Sequence, residues 1–526
     1  MEEEYTVVDT SKLLQAATDF SYDPGTRSEA AVKQFLTSFP LPVIINALQT
    51  KSDVPGLENA LIDCLEKIFK TKYGASLIPH FMSFIVVGLQ AYSQRVRTLS
   101  CKTISSLLEN LEDNTGLATS LVKEYGVYPL LLNCLIDGDE QVAVAATEAI
   151  KTLATSKQGI EIIFPATSSE TTDITNVAAR CSSLGRVRVL ALIVKLFSTS
   201  SAAATLVYNS NLLGLLEAEV RNVNDTLITL SVLELLYELT EVQHGMEYVV
   251  QTNILQLLIS IIRNSSAESM LRSRAMMISG RLLSKENIIT FIGESGVKDV
   301  ISAINERLST LDNEDADECE CALEALGHIG LSSQGAILLL SNASASRHVN
   351  NTAFDLHARG RQLAALHSLG NIVGETRPEN NKLLNNDAEE RLRRLIYETA
   401  SNTSKLVPSG LVLAILKLEY EFRIAGYRLI TGLAARPWFL VEICSRQEII
   451  NKLIDPFTET SKIGMEARYK CCEAIYKALA SSPNFLSDPA LSGTAEQLLE
   501  AIKKGPYLAK GRQREAQPEV ATADRF

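Results

Sequence analysis

The stretch EYGVYPLLLNCLIDGDEQVAVAATEAIKTLATSKQG, Glu124–Gly159, decides the fold. Gly126-Val127 opens an apolar helical run, Asp137-Gly138-Asp139-Glu140 makes an acidic turn, an Ala-rich helix follows, and Ser156-Lys157-Gln158-Gly159 breaks it. That is one turn of a helical repeat. Variants recur along the chain and can be registered on the ends of one helix per unit: IFKTKY from Ile68, SSLLEN from Ser105, KTLATS from Lys151, KLFSTS from Lys195 and LLYELT from Leu235. They continue as GRLLSK from Gly280, GHIGLS from Gly327, NIVGET from Asn371, TGLAAR from Thr431 and KALASS from Lys477. Successive starts differ by 37, 46, 44, 40, 45, 47, 44, 60 and 46 residues. Most of these lie in or near the window of about 40–47 residues occupied by armadillo and HEAT repeats.

Glycine often follows the break, at Gly116, Gly159, Gly245 and Gly335, and a left-handed residue that ends a helix is the expected reason. A short helix comes next, then a second turn at Gly126-Val127 or Gly296-Val297 opens a final helix. In Val297–Leu308 the apolar residues Val297, Val300, Ile301, Ile304 and Leu308 share one face. No unit covers such a face alone, so neighbours must stack on it. The expected fold is all-α, an armadillo/HEAT-like right-handed superhelical solenoid of roughly ten repeats. Residues 1–27 read as a polar lead-in with one short helix, Lys12–Phe20, and residues 28–505 as a single solenoid. Polar insertions are expected at 341–361, with a mobile loop, and at 375–410, with a charged helix Glu389–Tyr397. Residues 506–526 read as a disordered tail.

Composition narrows the function. The 526 residues carry a formal charge of −12, unfavourable for tracking phosphates, so nucleic acid is not expected as a partner. No apolar run near the ~18 residues of a membrane span is read. Nine cysteines without a Cys-x-x-Cys pair, and the acidic start Met1–Glu4, point to a reduced compartment, cytosol or nucleus. No P-loop, HExxH or nucleophile elbow occurs, and Cys319-Glu320-Cys321 has no second pair to complete a zinc site, so neither enzyme activity nor a cofactor is expected. His348, His357 and His367 near Arg359 and Arg361 read either as a basic patch for an acidic peptide or as an ordinary polar insertion. Lys503, Lys504, Lys510, Arg512 and Arg514 either tether an acidic partner or solubilise the tail.

Nuclear-import adaptors built on armadillo repeats grip extended peptides with a Trp/Asn ladder. Here the corresponding helices lack Trp, and four residues after the single Trp438 stands Glu442 rather than Asn. The polar stripes of the final helices are the candidate partner-binding residues: Asn133, Arg221, Gln256, Ser260, Arg263, Lys298, Ser302, Asn305, Asn451 and Asp455. Plain solvated faces are the other reading of each.

Three stretches add a resemblance: ELTEVQHGMEYVVQTNILQLLISII at 238–262, RPWFLVEICSRQEIINKLIDPFTETSKIGMEARYKCCEAIYKALA at 436–480, and Gly505-Pro506-Tyr507. With them the chain resembles the 26S proteasome non-ATPase regulatory subunit 5 family, as a plant-like member. The resemblance implies an assembly chaperone of the regulatory-particle base. Such a chaperone binds the C-terminal domain of an ATPase-ring subunit together with other base subunits, blocks premature docking on the 20S core, and is monomeric on its own. An armadillo-repeat nuclear transport or signalling scaffold is the alternative, and a ubiquitin ligase with armadillo repeats a third that lacks its catalytic domain.

Overall fold

The computed structural model describes residues 9–22, 28–50, 54–110, 116–165, 174–221, 225–310, 316–357, 359–481, 485 and 487–507. The described residues are helical and contain no strand, and the helices pack in series as an all-α solenoid. They fall into two compact units, Met1–Gly245 and Met246–Phe526.

In the first unit the opening stretch folds as read. Leu117–Glu124, Val127–Asp137 and Glu140–Leu153 form one triplet. Gly126 is left-handed (φ 58°), which sets the turn into Val127. Asp139 caps the long helix, its carboxylate accepting from Val142 N at 2.9 Å. The small residues Ala143, Ala145, Ala146 and Ala149 are buried, which lets Glu140–Leu153 lie close against the preceding long helix Gln94–Asn110. Leu57–Phe69, Ser183–Thr199 and Thr226–Leu239 extend the same row.

The reason for the recurring glycine differs from the sequence reading. Gly116 is left-handed (φ 119°), but Gly159 sits in the first turn of the helix Lys157–Ile163. There a Cβ would stand 1.8 Å from Leu153 O of the long helix just ended. Gly245 and Gly335 meet Leu239 O and Ile329 O in the same way. Close approach, not a positive φ, demands glycine at these three positions.

One expectation about membranes also changes. Lys72–Leu77, the 3-10 turn Ile78–Phe81 and Met82–Leu89 run on as 18 residues of mean hydropathy 1.2, enough by length and composition to cross a membrane. In the folded unit Ala75, Ile78, Met82, Ile85 and Leu89 of this run are buried, and it packs on Leu57–Phe69 and Gln94–Asn110.

The second unit repeats the scheme. Its long helices are Ser269–Leu282, Ala316–Ile329, Arg359–Ile372, Tyr420–Leu433, Lys462–Ala480 and Pro489–Lys503, each against the next. Contact is at backbone distance: a Cβ on Gly280 would lie 2.6 Å from Ala325 O, and one on Gly327 2.5 Å from Ser368 Oγ. The amphipathic helix Ile254–Arg263 buries Ile254, Leu255, Leu258, Ile259, Ile261 and Ile262. Each such side chain contributes about 1.5–3 kcal/mol when fully buried, and Leu258→Ala alone would remove about 2–5 kcal/mol. The second turn here falls at Gly293 (φ 76°) rather than at Gly296-Val297, and it breaks Glu286–Thr310.

The stretch expected to hold a mobile loop is instead a helix, Ala343–Ala353. Asn342 caps it by accepting from Ala345 N at 3.1 Å. Its apolar period was hidden because two buried positions are Ser346 and Asn350. Both are hydrogen-bonded: Ser346 Oγ donates to Asn342 O at 3.0 Å, and Asn350 Nδ2 to Thr399 Oγ1 at 2.6 Å. The charged helix of the 375–410 stretch runs over Asn386–Ser401 and buries Leu392, Leu395 and Ile396. Of the lead-in, Thr10–Tyr22 is helical. The sequence also predicts a Pro/Gly turn after the lead-in helix, at Asp23–Gly25, and an acidic turn between units at 312–320; the first, part of the second and the tail from 508 lie outside the described residues.

Candidate interaction site

The candidate partner-binding residues do not lie on the row of long helices. Asn133, on Val127–Asp137, is exposed, and so is Arg221, which ends Gly214–Arg221 and pairs with Glu217 at 3.6 Å. Both belong to the first unit. Asn451 and Asp455 lie at the Gln447–Ile454 helix of the second unit, where Asn451 Oδ1 accepts from Gln447 Nε2 at 2.9 Å and Asp455 Oδ1 from Phe457 N at 2.9 Å.

The other six come together. Gln256, Ser260 and Arg263 line the exposed side of Ile254–Arg263, and Lys298, Ser302 and Asn305 sit on the neighbouring Glu286–Thr310. Arg263 grips Glu306 across the two helices, Nε to Oε2 at 2.9 Å and Nη2 to Oε1 at 3.2 Å. Lys298 pairs along its own helix with Glu294 at 3.0 Å. Asn305 Oδ1 meets His348 Nδ1 at 3.0 Å. Beside this face a cavity of about 290 Å³ is lined by Leu255, Gln256, Leu282, Phe291, Ser295 and Asp299 among others. Phe291, two residues before the Gly293 break, is 62% exposed. The surface therefore offers an exposed aromatic, an amide, a carboxylate and a paired guanidinium within two adjacent helices.

Behind such surfaces the second unit holds a set of ionic clamps that sequence reading missed. Glu318 is buried between two guanidinium groups. Arg272 donates to it through Nε at 2.7 Å and Nη2 at 2.8 Å, and Arg307 through Nε at 2.6 Å and Nη2 at 3.2 Å. Burial alone would raise this carboxyl, but the two arginines outweigh it and hold it below its ordinary range. Glu459 accepts from Arg423 Nε at 2.6 Å and from Tyr427 OH at 2.8 Å. Arg436, 1% exposed, forks onto Glu389 at 2.8 and 2.9 Å. It also donates to Val373 O at 3.0 Å and Gly432 O at 2.9 Å. Arg377 donates to Gly330 O, Leu331 O, Asn371 O and Ile372 O, carbonyls at the ends of two successive long helices. Terminal carbonyls have no partner within their own helix and carry the negative end of its dipole. Burial, helped by the Arg436 charge, lowers Arg377 to about 10.

The three histidines do not form one basic patch. His367 Nδ1 accepts from Arg428 Nη1 at 2.7 Å, and burial together with that charge lowers it to about 4. It is neutral near pH 7. His348 is taken up by Asn305, Arg359 pairs with Glu419, and His357 lines a different cavity. Trp438 is packed on Tyr397 and Phe439, ring centroids 5.6 Å away in each case. All nine cysteines are free thiols, and burial pushes Cys444 up to about 12 and Cys472 to about 11. Among the described residues no group of three or more His, Cys, Asp or Glu is placed to hold a metal ion. Of the C-terminal bases, Lys504 pairs with Glu500 at 2.7 Å, while Lys510, Arg512 and Arg514 lie outside the described residues.

The family model described as "Proteasome non-ATPase 26S subunit" matches residues 59–525. The bovine (Bos taurus) 26S proteasome non-ATPase regulatory subunit 5 is 20% identical over 445 residues, covering 80% of each chain. Among solved structures, the crystal structure of an engineered protein aligns over 88% of this chain and 98% of its own, with 14% identity and a TM-score of 0.40.

Proposed function

The chain belongs to the proteasome non-ATPase 26S subunit family, and from that premise we propose that it is a non-catalytic assembly chaperone of the regulatory-particle base. In this reading it holds the C-terminal domain of one ATPase-ring subunit, alongside other base subunits, and keeps the base from docking prematurely on the 20S core. The observation that carries the reading is the family match over residues 59–525, which spans most of both units. The chemistry of the surface suits it. Stacked helices present long faces able to receive a folded domain, and the bulk of the stack beside the contact excludes a competing partner sterically. A chaperone must also let go, so exposed and exchangeable contacts such as the Arg263–Glu306 pair serve better than a deeply buried interface. It acts as a monomer in the cytoplasm and nucleus, without a cofactor.

Affinity capture of the tagged chain, with crosslinking of what it retains, tests this. ATPase-ring subunits without mature core particle are expected, with crosslinks to the Ile254–Arg263 and Glu286–Thr310 face. Recovery of intact 26S particles, or of no proteasome subunit, sinks the proposal. Arg263→Glu separates binding from stability. The pair it breaks is solvent-exposed, 44% and 56% at its two side chains, so folding should lose only about 0–1 kcal/mol. Capture of the ATPase subunit should drop about tenfold, as expected for a like-charge contact in an interface. Undiminished capture shows that the partner sits on another face.

A further inference from the structure

The cleft of about 290 Å³ beside Ile254–Arg263 and Glu286–Thr310 combines features that the rest of that face keeps apart. Its floor is apolar, made by Leu255, Leu282 and Ile288, all buried. Two of its lining residues stand on either side of the Gly293 break, Phe291 before it and Asp299 after it. A Cβ on Gly293 would meet nothing within 4 Å, so its left-handed φ of 76°, and not crowding, calls for glycine at the bend. The Phe291 ring is exposed, and so is Gln256 on the facing helix. Thr252 and Ser295 add hydroxyls, and Asp299 is the only charged member of the lining. Charge around the cleft is otherwise matched: Arg263 is forked onto Glu306, and Lys298 pairs with Glu294. Asp299 is exposed, and its field reaches Arg263, whose guanidinium is already committed to Glu306. Among the described residues the Asp299 carboxylate has no ion pair or hydrogen bond, and the Gln256 amide has no hydrogen bond.

We propose that this cleft receives one arginine side chain presented by the protein partner, its guanidinium laid on the Phe291 ring and donating to Asp299 and to the Gln256 carbonyl oxygen. The identity of the partner rests on the chaperone reading; the chemistry rests on the cleft alone. The apolar floor calls for an aliphatic stem, the exposed ring for a flat cation, and the unmatched carboxylate for positive charge. A purely apolar side chain would cover the floor but take water from Asp299 without replacing it. An acidic one would be repelled. Lysine brings the charge, but its compact and strongly hydrated ammonium neither stacks on a ring nor donates in a planar fork. A guanidinium does both, with five donors for the acceptors around the cleft. At about 290 Å³ the cleft lies just under the range of about 300–1,000 Å³ of small-molecule sites, the size of one anchoring side chain. Arginine is one of the residue types that dominate binding when seated in such a pocket.

The test has two arms. In the first, methyl-labelled full-length protein is titrated with N-acetyl-arginine amide, with its citrulline counterpart, which has the same shape without the charge, and with N-acetyl-lysine amide. The methyl signals of Leu255, Leu282 and Ile288 report binding. Arginine should bind about tenfold more tightly than citrulline, the factor that an exposed ion pair and a cation–π contact supply together, and more tightly than lysine. Asp299→Asn should erase the advantage over citrulline, and Phe291→Ala the advantage over lysine. Both residues are exposed, so neither variant should shift the melting temperature appreciably. In the second arm, capture of ATPase-ring subunits by the full chain should drop about tenfold in Asp299→Asn. Equal affinity for arginine and citrulline, lysine bound as tightly as arginine, no shift of the three reporters, or undiminished capture by Asp299→Asn would each overturn the proposal. The last of these leaves the chaperone reading standing. If the unaltered chain captures no ATPase-ring subunit, that reading falls instead, and the amide titration alone decides for or against the cleft.

Discussion

The two units satisfy their buried polar groups in different ways. Among the described residues of Met1–Gly245, the buried polar side chains are serines and threonines, Thr71, Thr98, Ser100, Thr103, Ser106, Thr119, Thr147, Thr229 and Thr240. Most of these hydroxyls are satisfied by a carbonyl three or four residues back, as Thr103 is by Leu99 O at 2.7 Å and Thr147 by Ala143 O at 2.8 Å. In Met246–Phe526 the buried set includes Arg272, Glu318, Arg377, Arg436, Glu459 and Arg468. Their partners are far along the chain, 46 residues for Arg272–Glu318, 36 for Arg423–Glu459 and 47 for Arg436–Glu389. A local hydroxyl bond stabilises one helix and says nothing about its neighbours. A buried fork between successive repeats stabilises only one register, because any slip leaves a desolvated charge without its partner. The first unit's ion pairs between repeats, such as Lys102–Glu66 at 2.9 Å and Arg186–Glu219 at 3.2 Å, lie nearer the surface, whereas the second buries ionic pins between repeats.

The contrast can be broken most sharply at Glu318. Glu318→Ala leaves two guanidinium groups facing each other below the surface and should cost about 3–5 kcal/mol. Urea unfolding with hydrogen exchange should localise that loss to the second unit. A loss below 1 kcal/mol, or one shared with the first unit, removes the distinction.

Acid is the next lever. His367 is lowered to about 4 in the folded chain against an ordinary 6.5. Between those values the unfolded chain binds a proton that the folded chain refuses, so stability falls as pH drops from about 6.5 to 4 and changes no further below that. The full loss is on the order of 3 kcal/mol. Glu318 acts in the same direction at lower pH, since its depressed carboxyl contributes stability that is lost as it is protonated. In the first unit Glu66 is also lowered, but it is more open to solvent, 23% at the side chain, beside Lys70 and Lys102. Protection factors, which correct for the slower intrinsic exchange in acid, should therefore fall from pH 7 to pH 5 mainly in the second unit, and His367→Asn should remove most of the difference.

Packing comes third. Gly327→Ala would place a methyl 2.5 Å from Ser368 Oγ and 2.6 Å from its Cα, forcing two long helices apart at about 1–3 kcal/mol. A neutral effect on the melting temperature would show that this contact can relax. Smallest is Thr147→Val in the first unit, which removes a hydroxyl already satisfied within its own helix and should change stability by less than about 1 kcal/mol. A larger loss would reveal cross-helix bonding there too.

What the sequence alone determined is local and repetitive. The 37-to-60-residue recurrence, the apolar face of Val297–Leu308 and the Gly126-Val127 entry all follow from neighbours within a few turns, and the structure has helices at each. The family, too, was legible from 238–262 and 436–480, since it is a property of order along the chain. Only tertiary structure decided the rest. Ser346 and Asn350 read as loop residues until Leu395 and Thr399 are brought against them. Gly159 reads as a helix stop until Leu153 O is seen where its Cβ would be. Of the candidate binding residues, six share two adjacent helices and four are scattered, and no spacing announced which. Nor could it show that Glu318 faces both Arg272 and Arg307. Periodicity records which face of a helix is buried. It does not record what that face is buried against, because the partner comes from a repeat some 45 residues away by the same spacing that makes all repeats look alike.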